Sequence, residues 1–131
     1  MPELLAPVRA EPDEAVVRHY LEALNSGQVL EALNAFSMDA RMRDESGRER
    51  RGIREIAAAF ASHERPLKVD IEELQKEGAA VAVRVRLTYP ETRETRVYRS
   101  VFRVNRDRIR SLVMDPLPVP PARRGKAARS A

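Results

Sequence analysis

Apolar residues in the first half of the chain recur at spacings of three and four, and in the second half at every second position. Val16, Val17, Tyr20, Leu21 and Leu24 follow Pro12, Asp13 and Glu14. Those three suit a first helical turn, because proline there has no N–H to lose and carboxylates favour the positive end of the helix dipole. Asn25-Ser26-Gly27 offers a glycine stop, so the pattern predicts a helix over residues 12–25. Leu30, Leu33 and Phe36 predict a shorter second helix over residues 29–36, packed on the first as a hairpin and ended by Ser37-Met38-Asp39. Residues 40–44 alternate Ala40, Met42 and Asp44 against Arg41 and Arg43, a short strand that runs into a polar turn around Ser46-Gly47. Beyond Gly52, the spacing of Ile53, Ile56, Ala57 and Phe60 predicts a third helix to about His63, which Pro66 prevents from continuing.

From residue 67 the period changes to two. Leu67-Val69-Ile71, Val81-Val83-Val85-Leu87-Tyr89, Tyr98-Ser100-Phe102-Val104 and Leu112-Met114 read as four half-buried antiparallel strands. Turns are expected at Glu77-Gly78, at residues 90–93 and at Asn105-Arg106-Asp107. The opposite parity is polar, with Lys68, Asp70 and Glu72 placed for cross-strand pairs with Arg84 and Arg86. The expected class is α+β, of order ααβαββββ. Three helices from the amino-terminal half cover the oily face of a curved antiparallel or mixed sheet, a cone with a cavity at its open end.

A chain of 131 residues fits one domain. We expect an amino-terminal extension over residues 1–10, a domain over residues 11–117 and a disordered basic tail over residues 118–131. The sequence pI near 9.9 invites a nucleic-acid reading. The excess charge, however, is local: without Arg123, Arg124, Lys126 and Arg129 of the tail, basic and acidic residues both number 20. Nucleic-acid binding by the arginine-rich sheet face of Arg84, Arg86, Arg99 and Arg103 is not expected, since acids accompany it and no basic-aromatic pattern appears. A mean hydropathy of −0.50 fits neither a membrane span nor a disordered chain. Pro7 interrupts Leu4-Leu5-Ala6 and Glu3 stands where an export signal would be basic, so no export is expected. With no cysteine, and only His19 and His63 as histidines, no metal, no cofactor and a reducing, cytoplasmic setting are expected.

The element order, and the stretch Ala15-Val16-Val17-Arg18-His19-Tyr20-Leu21-Glu22-Ala23-Leu24-Asn25-Ser26-Gly27, resemble the nuclear transport factor 2-like superfamily, and within it bacterial ketosteroid isomerases and SnoaL-like polyketide cyclases. Ala35-Phe36-Ser37-Met38-Asp39-Ala40, Arg51-Gly52-Ile53-Arg54-Glu55-Ile56 and Val101-Phe102-Arg103-Val104-Asn105 extend the likeness over nearly the whole domain. The resemblance implies a cystatin-like cone fold. Such markers identify the fold far better than the reaction, because this scaffold hosts isomerases, cyclases, hydrolases and non-catalytic proteins.

Alignment with ketosteroid isomerase, whose aspartate base and phenol donor are a well-described pair, sets Tyr20 at an oxyanion-hole tyrosine and Asp44 at the general base. A carboxylate must take the proton beside a carbonyl while a phenol donates to the growing enolate oxygen. Ser100 replaces the protonated aspartic acid that serves that family as second donor, which weakens the case for a steroid. An Arg-x-Asp pair typical of limonene-epoxide hydrolases is missing, as Arg99-Ser100-Val101 stands there. Asp115 has the parity of Ile109, Ser111 and Val113 and is expected to point away from the cavity. The candidate catalytic residues are therefore Asp44, Tyr20 and Ser100, with Phe36, Met42, Phe60, Leu87, Phe102, Leu112 and Met114 lining the ligand site. Burial is expected to raise the pKa of Asp44. The leading function is proton transfer, as isomerisation or cyclisation, on a small apolar carbonyl compound by a homodimer joined through the outer sheet face. The alternatives are a non-catalytic binding module, or a dimeric interaction protein whose cone is filled by side chains.

Overall fold

The computed structural model describes residues 12–62, Pro66 and residues 68–119. The expected amino-terminal extension, His63, Leu67 and the tail from residue 120 lie outside the described residues. Helix α1 spans Pro12–Asn25 and buries Val17, Tyr20, Leu21 and Ala23, the face that its apolar spacing foretold. It closes as a Schellman motif: the Gln28 N–H bonds the Ala23 carbonyl at 2.8 Å and the Gly27 N–H the Leu24 carbonyl at 3.1 Å. Gly27 takes a φ of 75°, a conformation that costs glycine, with no Cβ, less than any other residue.

Helix α2 covers only Val29–Asn34. Phe36, expected at its end, instead opens strand β1 (Phe36–Arg43), because the Ala35 carbonyl already accepts the Ile109 N–H at 2.7 Å and Phe36 pairs with Ile109. Helix α2 is thus too short to keep the expected apolar face buried, and Leu30 is 77% exposed. A second strand, β2 (Glu49–Arg51), was not expected, since three charged residues carry no alternating signal. Helix α3 follows at once over Gly52–Ser62, with Glu55 reaching back to the Arg51 N–H at 2.7 Å.

Strands β3 (Lys68–Glu77), β4 (Ala80–Thr88), β5 (Thr95–Asn105) and β6 (Arg108–Leu117) complete a sheet of order β2-β1-β6-β5-β4-β3, in which only β1 and β6 run parallel. The fold is α+β with three helices on one face of a curved, mixed six-stranded sheet. Its order, ααββαββββ, adds one strand to the expected series. The β5–β6 hairpin turns through Arg106 and Asp107, both at positive φ, which matches the twist of a two-residue connection.

Val69, Val81, Val83, Val85, Leu87, Tyr98, Phe102 and Leu112 are buried on the helix-covered face. The outer face carries the expected ion pairs from Glu72, to Arg84 at 3.3 Å and to Arg86 at 2.6 Å, and a further pair, Glu77 to Arg99 at 2.8 Å. Asp115 faces outward too, bonded to Arg43 at 2.7 Å. One parity assignment is corrected: a register shift between Arg103 and Val104 turns Ile109 inward, to full burial, while Ser111 and Val113 keep the outward phase. None of the described helices is long and apolar enough to cross a membrane.

Candidate functional site

A cavity opens between the helices and the concave sheet face. Its volume is about 80 Å³, several times the ~10–15 Å³ that one water needs. Its wall brings together Tyr20 from α1, Asp44 at the end of β1 and Ser100 from β5, with Met42, Phe60, Leu87, Phe102, Leu112 and Met114. Phe36 is not on that wall. It stands behind, with its ring 5.2 Å edge-on from Tyr20 and 6.5 Å from Phe60. A second edge contact, with Phe102 at 5.8 Å, also holds the Tyr20 ring.

Tyr20 and Ser100 are 4% and 2% exposed, and neither hydroxyl has a hydrogen-bond partner among the described residues. Buried donors without acceptors are uncommon, because each forgoes the water it had in the unfolded chain. Burial, and after it the charge of Glu45, push the Tyr20 phenol well above its ordinary range, so it stays protonated and able to donate.

Asp44 is 1% exposed yet thoroughly bonded. Its Oδ1 accepts the Ser46 N–H at 3.0 Å, the Ser46 hydroxyl at 2.7 Å and the Arg48 N–H at 3.0 Å, while Oδ2 accepts Arg50 Nε at 3.2 Å. The loop is closed further by Asp44 N–H to the Arg48 carbonyl and by Gly47 N–H to the Asp44 carbonyl, with Gly47 at a φ of 86°. The expectation of a raised pKa is therefore corrected. Burial does push the Asp44 carboxyl upward, but the bonds from Ser46, Arg48 and Arg50 outweigh it and hold the group below the ordinary aspartate value.

Parity brought Asp44 to the cavity wall but gave no warning of these partners. Arg50, buried at 8% exposure opposite Met42 in the β1–β2 register, was missed because strand β2 was missed. Glu45 was missed for a different reason. It follows Asp44, so strand alternation would point it outward, and only the turn at residues 44–48 brings it to the cavity. Leu21, Leu24, Val85 and Tyr89 also line the wall, and were legible from the phase of Tyr20 on its helix and of Leu87 on its strand. His19 lies on the surface and bonds Glu31 at 3.0 Å, joining α1 to α2. Among the described residues, no three His, Asp or Glu side chains converge as a metal site would require.

A family model described as "SnoaL-like domain" matches residues 17–112. Among solved structures, a "putative ketosteroid isomerase" from Kribbella flavida DSM 17836 superposes with a TM-score of 0.70 at 16% identity, over 92% of this chain and 88% of that one. A "putative polyketide cyclase" from Sinorhizobium meliloti gives 0.64 at 20% identity, over 81% and 100%. A protein of unknown function with a cystatin-like fold from Methylobium petroleophilum PM1 gives 0.67 at 17% identity, over 85% and 80%. At such identities the likeness extends to the fold. No curated protein sequence matches the chain.

Proposed function

Because the chain belongs to the SnoaL-like family of the nuclear transport factor 2-like superfamily, we propose that it binds a small, mainly apolar carbonyl compound and moves a proton at the carbon beside that carbonyl. One observation carries this reading: two buried hydroxyls, Tyr20 and Ser100, have no hydrogen-bond partner among the described residues and line the same apolar cavity. A ligand oxygen supplies the acceptor that both lack, and the surrounding Met42, Leu87, Phe102 and Leu112 accept the ligand's hydrocarbon. As the C–H bond breaks, negative charge gathers on that oxygen, where fixed donors are worth most because a dry site needs no solvent rearrangement. The proton passes to a carboxylate on the cavity wall, where Asp44 and Glu45 stand in succession. The chemistry needs no metal or cofactor. The likeness to the Kribbella flavida and Sinorhizobium meliloti proteins supports the class without specifying the substrate.

A second reading, a non-catalytic binding module, is favoured by the full engagement of the Asp44 carboxylate with its own loop and Arg50. The space within the cone supports both ligand-binding readings over an interaction protein with a filled cavity. The outer sheet face, where Val101 pairs with Ala82 and Val113 inside a rim of ion pairs, suits a homodimer. A cytoplasmic setting fits a chain without cysteine.

The deciding experiment soaks the protein in deuterium oxide with ketones and enones that raise its melting temperature, and follows deuterium at the carbon beside the carbonyl by mass spectrometry. Exchange above the protein-free rate supports the enzyme. Tight binding with exchange only at the protein-free rate would leave the binding module.

A further inference from the structure

The two carboxylates on the cavity wall differ in one respect that decides which of them can work. Asp44 is tied into the loop by four bonds, and a proton arriving there would discharge the carboxylate that Arg50 pairs with. Glu45 is half-buried, lines the same cavity and makes no hydrogen bond or ion pair among the described residues. We propose that Glu45 is the proton acceptor of the site, a free carboxylate held at the cavity wall by the turn that Asp44 locks. This rests on the proton-transfer reading above.

The local geometry favours it. Hydrogen bonds at both ends of the turn, from Asp44 N–H to the Arg48 carbonyl at 3.0 Å and from Gly47 N–H to the Asp44 carbonyl at 2.9 Å, fix the backbone that carries Glu45. A group on a fixed backbone with an unengaged side chain combines a set starting position with freedom to follow a substrate carbon. Glu45 also lies near the phenols of both α1 and β5. Its charge adds to burial in raising the Tyr20 phenol, and, behind burial and the opposing bond from Arg96, it acts in the same sense on Tyr98. The proton acceptor and the Tyr20 donor therefore stand within electrostatic reach across one cavity, as removal of a proton beside a carbonyl requires.

In the step itself, the C–H bond beside the carbonyl breaks and its electron pair forms the carbon–carbon double bond of the enolate. The carbonyl oxygen gains the charge and is bonded by the Tyr20 and Ser100 hydroxyls, while the proton goes to a Glu45 carboxylate oxygen. Its return, to the same carbon or to the far end of a conjugated system, regenerates Glu45, so nothing is oxidised or reduced. Asp44 keeps its charge throughout.

The test compares wild type, Glu45→Gln and Glu45→Asp in deuterium oxide with cyclohex-2-enone and 2-decalone, alongside ligand-induced melting shifts. Glu45→Gln should fold with a melting temperature close to wild type, because the side chain has no hydrogen bond or ion pair to lose among the described residues. It should retain the melting shift and lose the protein-dependent exchange by at least about 100-fold. Glu45→Asp, a carboxylate set back by one methylene, should fall between the two. If wild type exchanges and Glu45→Gln exchanges within about threefold of it, Glu45 is overturned and the proton-transfer function stands. If wild type shows no exchange above the protein-free rate, both are overturned.

Discussion

Replacing Asp44 by Asn tests how far the β1–β2 turn depends on one charge. The two side chains are nearly isosteric, and an Asn oxygen turned toward the loop can still accept from Ser46 and the Arg48 N–H. That orientation turns the amide NH₂ toward Arg50, so a donor meets a donor and the guanidinium is left buried without its counter-charge. Removing one partner of a buried pair costs about 3–5 kcal/mol. The Arg50 side chain retains 9% exposure and can recover some hydration, so a loss of roughly 2–4 kcal/mol is expected, which for a domain of this size lowers the melting temperature by roughly 10–25 °C. Urea unfolding at pH 7 measures it, and the double variant Asp44→Asn with Arg50→Met should recover part of the loss by removing the stranded charge. Acid supplies a second check. The folded-state pKa of Asp44 is depressed, so its contribution is present in full above the unfolded value of about 3.9 and fades as pH falls through the lower folded value. The gap between wild type and Asp44→Asn should therefore narrow below about pH 3.9. A loss under about 0.5 kcal/mol at pH 7, or a double variant no more stable than Asp44→Asn alone, would refute a buried pair whose charge stabilises the loop.

Tyr20→Phe should leave stability within about 0.5 kcal/mol of wild type, since its hydroxyl bonds none of the described residues, while weakening ketone binding by roughly 1–3 kcal/mol in calorimetry; marked destabilisation would reveal a partner for the phenol. Burial keeps the Tyr20 phenol protonated in the fold to higher pH than in the unfolded chain, so ionisation of the unfolded chain above about pH 10 favours unfolding, and alkaline unfolding should be less steep in Tyr20→Phe than in wild type. Ser100→Ala should likewise keep the fold and weaken binding, by less than Tyr20→Phe if the phenol is the stronger donor. Val101→Glu on the outer face should convert a dimer to a monomer in light scattering, and an unchanged mass would set the dimer interface elsewhere.

The sheet and helices were legible because their signals are repetitive. Strands β3 to β6 each offer at least two inward apolar residues at period two, and α1 and α3 each offer two turns of apolar face. Elements without that repetition were misread. Phe36 continues the apolar spacing of α2, and only pairing with a strand more than 70 residues later draws it into the sheet. Strand β2 is three charged residues and exists because Arg41, Met42 and Arg43 offer it a partner edge. Ile109 kept the wrong phase because a bulge, which shifts alternation by one, leaves little trace in composition.

The candidate site divides along the same line. Tyr20, Met42, Ser100 and Phe102 reach the cavity through phase alone, and phase was enough to place them. For Asp44, phase gives the direction of the side chain and nothing about what surrounds its oxygens. Desolvation considered alone raises a carboxyl, yet four donors contributed by Ser46, Arg48 and Arg50 reverse the sign. All four lie within six residues of Asp44, on the loop whose closure depends on Gly47 and on the unforeseen β2. A charged residue at a strand end next to Ser-Gly-Arg is thus as much a candidate for locking the turn as for chemistry in the cavity. Once Asp44 is committed to the turn, its neighbour Glu45 inherits the place on the wall where an unengaged carboxylate can act.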